Sequence, residues 1–364
     1  MNLFPPKGRL LQTVLFSFII SFLNLFFQSY SAFYTNTAAA NVQKYINDSY
    51  IARGQIISKN YLLWFWNFVL NLPFLGFLLS NLLAPYLCEK AGRRGTLLYT
   101  NCACFISVVV TVISIIFLIP ELFLISRVVG SALTNINFCA FALFVTEYPA
   151  TKYRGLAVFL GGFNFNFVGN IGMILGMDWL LGKNVVALAG IMLLPAFLAI
   201  LFIIPLKETP KFLYLKRQDK KATLEALKFY QGDNFDHEEY LHEMEKERQN
   251  NDSSPIFQRL KEIFTQKHLF LATILSAAAL QLPIGPWPMA TTLLSSHFDI
   301  EQAQLVATIC TFSSLLANIP GTFMSERQNS LEQGWAQETF TKNAKRNARP
   351  KFNANNAKRK NAKK

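Results

Sequence analysis

Charged residues punctuate this chain instead of being spread along it. Stretches free of Asp, Glu, Lys and Arg run over 10–43, 60–88, 95–120, 128–146, 155–177, 184–206, 268–298 and 302–325. A bilayer core about 30 Å thick takes roughly 20 apolar residues of helix, and charge is costly within it, so the pattern predicts eight membrane spans. The first span follows Lys7 and Arg9 without a small-residue cleavage site and reads as a retained helix rather than a signal peptide. Lys90, Arg93 and Arg94 lie between spans 2 and 3, and Lys152 and Arg154 between spans 4 and 5, whereas the opposite connections are poor in bases. The bias places the N-terminus in the cytoplasm. On that topology the sequon Asn47-Asp48-Ser49 falls outside, in the first long loop, as a glycosylation candidate.

Residues 207–267 join spans 6 and 7 and carry twelve acids and twelve bases. Asp219 is placed to cap a helix through Ala222, Leu227 and Tyr230, Asp236 with Glu239 reads as a capping box, and Ser254-Pro255 opens a third short helix. The chain thus divides into a six-span bundle (1–206), a cytoplasmic helical insert (207–267), a two-span partial bundle (268–327) and a basic low-complexity tail (328–364), which is expected to be disordered.

Composition agrees with this class: 52% of the 364 residues are hydrophobic and 16% charged, against about 25% charged in soluble domains. Ten Lys and Arg with no acid stand in 341–364, and removing those ten from the net +13 leaves +3, so the basicity is terminal and does not argue for nucleic acid. The five cysteines and four histidines form no metal-ligand spacing, and no nucleophile, base and orienting group stand together; neither metal, cofactor nor enzymatic chemistry is expected.

Three connections share an order that is more telling than any one of them. Gly92-Arg93-Arg94-Gly95 follows span 2, Glu147-Tyr148-Pro149-Ala150-Thr151-Lys152-Tyr153-Arg154-Gly155 follows span 4, and Lys207-Glu208-Thr209-Pro210-Lys211-Phe212-Leu213 follows span 6. With this set, over residues 7–327, the chain resembles the sugar porter branch of the major facilitator superfamily, the family of facilitative glucose transporters. The resemblance implies an all-α membrane bundle in which two six-helix halves rock about a midplane site. It also implies that Arg93, Arg94, Arg127, Glu147, Arg154 and Glu208 form an intracellular latch of ion pairs. The implied solute is small and neutral, a hexose or a relative, moved by facilitated diffusion across the plasma membrane. Uncharged polar candidates to bind it are Gln28, Asn36, Asn166, Gln281 and Asn318, with Trp287. In span 7 the family's Q-Q-x-S-G-x-N reads Gln281-Leu282-Pro283-Ile284-Gly285-Pro286-Trp287, a departure that bears on hexose as substrate. The family has twelve spans, so the resemblance implies a carrier truncated after its eighth, which alone would not catalyse uptake. The alternative is a non-transporting membrane protein that binds or regulates a full-length paralogue.

Overall fold

A computed structural model describes residues 10–232, 240–242, 244–245, 262–284 and 290–316, with the side chains of 276–284 excepted. The chain divides into two compact units, Met1–Leu315 and Leu316–Lys364, and the helical packing is that of the first. Five helices among the described residues are long and apolar enough to cross a membrane, one of them of 58 residues. The second and third capping signals expected in the insert lie outside the described residues, as do Trp287, Asn318 and the basic tail.

Helix α1 (Leu10–Thr37) carries the first span and α2 (Ala39–Ala52) follows it at once. The expected first loop is therefore helical: Val42, Tyr45, Ile46, Ser49 and Tyr50 recur at helical spacing and are buried. Spans 2 and 3 are the arms of α3 (Lys59–Ile116), interrupted only at Gly92, where φ is +83°. Helix α4 (Pro120–Glu147) starts eight residues before its uncharged run, with Pro120 in the first turn. Helix α5 (Arg154–Leu175) is followed by the short α6 (Val185–Gly190) and α7 (Leu193–Ile203), which together make the sixth span. In the insert, α8 (Pro210–Phe212) precedes α9 (Lys220–Gln231), whose N-cap Asp219 accepts a hydrogen bond from Ala222 N at 2.9 Å, as its sequence predicts. Helices α10 (Lys267–Ile284), α11 (Ala290–Leu294) and α12 (300–316) complete the described chain.

Two buried clusters stack along the bundle and define its ends. One gathers Phe16, Cys88, Leu97, Phe144, Tyr148 and Tyr230; the other gathers Tyr34, Tyr45, Trp66, Ile115, Phe123 and Leu188. The arms of α3 are antiparallel, since Cys88 and Leu97 flank Gly92 in the first cluster while Trp66 and Ile115 meet in the second. We call these the Glu147 end and the Tyr50 end. Helices α1 and α5 approach closely because Gly172 and Gly176 leave room: a Cβ on either would stand 3.0–3.1 Å from the carbonyl oxygens of Tyr30 and Tyr34. Buried amides brace the centre. Asn101 Nδ2 donates to Asn24 Oδ1 at 2.8 Å and Asn137 Oδ1 at 3.1 Å, tying α1, α3 and α4 together without charge.

Candidate functional site

At the Glu147 end the break at Gly92 creates the site. The second arm of α3 starts there, so its first amides have no partner within the helix and its dipole turns a positive end outward. The carboxylate of Glu208 fills that position from another segment. Its Oε1 accepts from Arg93 N at 2.9 Å, Arg94 N at 3.0 Å and Thr209 N at 3.0 Å, and its Oε2 from Arg94 N at 3.2 Å. Glycine is required at 92 on two counts: φ is positive, and a Cβ would run into the Glu208 carboxylate and the Phe212 ring.

The neighbouring carboxylate faces the opposite problem. Glu147 ends α4, where the helix dipole disfavours an anion, and it is 4% exposed. Arg93 answers it: Nη2 stands 2.8 Å and Nε 3.2 Å from Glu147 Oε1. The hydroxyl of Thr209, itself fully buried, donates to Glu147 Oε2 at 2.6 Å. The Arg93 guanidinium lies 5.0 Å over the Phe212 ring. Arg94 Nη2 donates to the Ile204 carbonyl at 2.6 Å. One knot thereby joins α3, α4, the end of α7 and α8. Burial pushes the Tyr230 hydroxyl well above the ordinary phenol range, and it donates to the Lys207 carbonyl beside the knot.

Thus Arg93, Arg94, Glu147 and Glu208 come together, and Arg154 and Arg127 do not. Arg154 opens α5 with its Nε buried and without a hydrogen-bond partner among the described residues. Arg127 corrects the sequence reading. It stands twenty residues before Glu147 on α4, about 30 Å along a helix axis, so it cannot share a latch with Glu147. Thr209, Phe212 and the capping role of Glu208 were not expected; the only signal was their place in the third connection.

Arg127 instead lines a cavity of about 380 Å³ inside the bundle, with Gln28, Tyr34 and Thr35 of α1 and Phe74 and Phe77 of α3. Ser31, Thr111, Ser126, Ser131 and Thr134 add hydroxyls to the wall. The carbonyl oxygen of the Gln28 side chain is buried without a partner among the described residues. Asn36 and Asn166, expected with Gln28 as solute-binding candidates, are not among the residues lining the cavity. Asn36 Oδ1 accepts from Thr291 N at 3.1 Å, and Asn166 Nδ2 donates to Gly162 O of its own helix at 3.1 Å. Gln281 lies in α10, outside the described side chains. Asn47 is half-buried within α2, and the Ser49 hydroxyl of its sequon is buried and donates to Tyr45 O at 2.7 Å.

A family model described as "Sugar (and other) transporter" matches residues 10–325. The chain belongs to that family. Its fold is the all-α membrane bundle of the major facilitator superfamily, and members of the sugar transporter family are transporters rather than enzymes. The chain is 27% identical over 252 residues to facilitated glucose transporter member 7 of the solute carrier family 2 from Mus musculus, and 28% identical over 243 residues to member 5 from Homo sapiens. These alignments take in 66% and 64% of this chain and 48% and 47% of those proteins, so the chain spans about half the length of the curated relatives it matches. Among solved structures, the proton:xylose symporter XylE bound to 6-bromo-6-deoxy-D-glucose aligns with a TM-score of 0.62 at 16% identity, covering 85% of this chain and 68% of that one. The inward-open form of XylE from E. coli gives 0.53 at 15% identity, covering 66% and 58%. At these identities the structures speak for the fold alone.

Proposed function

We propose that the chain binds a small polyhydroxylated solute, a hexose or a relative, in the cavity beside Gln28, as part of a facilitative alternating-access carrier of the plasma membrane with its N-terminus and Glu147 end in the cytoplasm. The observation that carries this reading is the cavity wall: amide and hydroxyl groups for a sugar's hydroxyls, and aromatic rings for its apolar faces, inside a bundle of a sugar transporter family. The curated relatives are named as facilitated glucose transporters and the solved neighbour as a xylose symporter, which points to the same solute class. No carboxylate lines the cavity among the described residues, and this favours facilitative movement over proton coupling.

The contacts of α11 and α12 with α1 and α5 support a rocking mechanism. Besides Thr291 N to Asn36 Oδ1, Gln304 Nε2 donates to Thr37 O at 2.9 Å and Asp178 Oδ1 at 3.1 Å, and Asn170 Nδ2 to Thr311 O at 3.4 Å. All these bonds lie in the half of the bundle toward the Tyr50 end, so this seam reads as the closed side of the carrier, with 1–206 and 268–327 as its two moving parts and 207–267 between them. The knot at Arg93 and Glu147 is then the first part's share of the latch on the other side.

The test is binding of D-glucose and D-xylose to the purified full chain, followed by thermal unfolding and intrinsic tryptophan fluorescence. Saturable stabilisation that Gln28→Leu weakens at least tenfold is expected. Absence of saturable binding by either sugar would overturn the proposal.

A further inference from the structure

The charge of the cavity is one-sided. Among its lining residues Arg127 alone bears a formal charge, and no Asp or Glu among the described residues lies within ion-pair distance of it. Its neighbours are weak substitutes. Nη2 reaches Thr35 Oγ1 only at 3.5 Å, and that hydroxyl already donates to Ser31 O at 2.8 Å and Ala32 O at 3.1 Å. The Tyr34 hydroxyl interacts with the guanidinium, which also stands 5.9 Å from the Phe123 ring centroid. Nε is buried with no acceptor among the described residues. A guanidinium does not shed its proton, so the cation persists at membrane depth, where intrinsic charges are rare and carry function. Among the described residues the wall lacks an anion, and the Gln28 side-chain oxygen in the same wall lacks a donor.

We infer that the preferred solute is a sugar acid, a monosaccharide bearing a carboxylate, whose carboxylate pairs with Arg127 while a hydroxyl donates to Gln28 Oε1. The inference rests on the sugar reading above and narrows its polyhydroxylated solute to one that bears a carboxylate. Each part of such a ligand meets a group the cavity leaves open. The carboxylate gives the guanidinium a charge-assisted, forked acceptor, hydroxyls meet the serine and threonine wall, and the ring's apolar faces meet Phe74 and Phe77. A volume of about 380 Å³ is at the small end for ligand sites and suits one monosaccharide. The positive potential also concentrates anions at the cavity before they bind.

The experiment uses the purified full chain at pH 7 and three probes of one shape: D-glucuronate, its neutral amide D-glucuronamide, and D-glucose. Glucuronate is expected to bind at least about tenfold more tightly than the other two, the order of one charge-assisted pair. Arg127→Gln is expected to bring the three affinities together. The three-probe comparison on the unaltered protein needs no variant to fold. Equal affinities in the unaltered protein would overturn the sugar-acid inference and leave the sugar reading standing. Binding of none of the three would overturn both, and a preference for glucuronate that survives Arg127→Gln would remove Arg127 from the inference.

Discussion

The bundle holds an arginine–glutamate pair at each end, and the two are built differently. At the Tyr50 end Arg53 and Glu121 meet at 3.0 Å with side chains 35% and 45% exposed; at the Glu147 end Arg93 and Glu147 meet at 2.8 Å with side chains 12% and 5% exposed. Water screens the first pair, and its loss exposes each partner to solvent. Desolvation makes the second obligatory: neither charge is tolerable there without the other, and Thr209 occupies the carboxylate's remaining oxygen. Identical chemistry therefore makes a surface staple in one place and a buried, interdependent knot in the other. The hydrogen bonds that Arg53 donates to Glu121 raise the pKa of Arg53, but that side chain is already a permanent cation, so the shift adds no pH dependence.

The sharpest way to break this contrast is Glu147→Gln. It leaves the Arg93 cation buried without a counter-charge and is expected to destabilise by about 3–5 kcal/mol, read from thermal unfolding of the solubilised chain. Gly92→Ala follows, at about 1–3 kcal/mol, because the left-handed backbone and the approach of Glu208 both reject a methyl group. Its signature is a lowered unfolding temperature, and with Glu208→Gly in the same chain the two losses come to less than their sum, because the clash needs both side chains. Glu208→Gln keeps the shape but loses the anion that caps the second arm of α3, an expected 1.5–3 kcal/mol, roughly. Arg53→Gln stands last, at about 0.2–1 kcal/mol, a loss that high salt further shrinks.

Much of the bundle was legible because charge is excluded from lipid whatever the tertiary contacts. Among the described residues the first six uncharged runs located the five helices long and apolar enough to cross a membrane, and the rule failed where a charge belongs inside one. Helix α4 begins at Pro120, and its first turns hold Glu121, paired at the boundary, and Arg127, turned into the cavity. An uncharged-run rule discards both turns and so misreads Arg127 as a residue of the bundle end. The loop expected around Asn47 is helix for a similar reason, since Tyr45 and Tyr50 bury their rings while their hydroxyls reach Ser114 O and Glu121. The charged positions of the knot were legible from their three connections. Thr209 and Phe212 were not, because a hydroxyl and a ring beside charges are common in any loop. Among the polar candidates, Gln28, Asn36 and Asn166 look alike in sequence. Only geometry separates a group left open to a cavity from one spent on the next helix or on its own.

The comparison of the two pairs is tested most directly by double-mutant cycles in thermal unfolding, with Arg93→Met and Glu147→Leu in one cycle and Arg53→Met and Glu121→Leu in the other. The account predicts that each single change at the buried pair costs about 3–5 kcal/mol while the double change costs less than either, because removing both charges removes the need for pairing. At the exposed pair the effects should add to within about 1 kcal/mol. Additive losses at Arg93 and Glu147, equal in kind to those at Arg53 and Glu121, would contradict it.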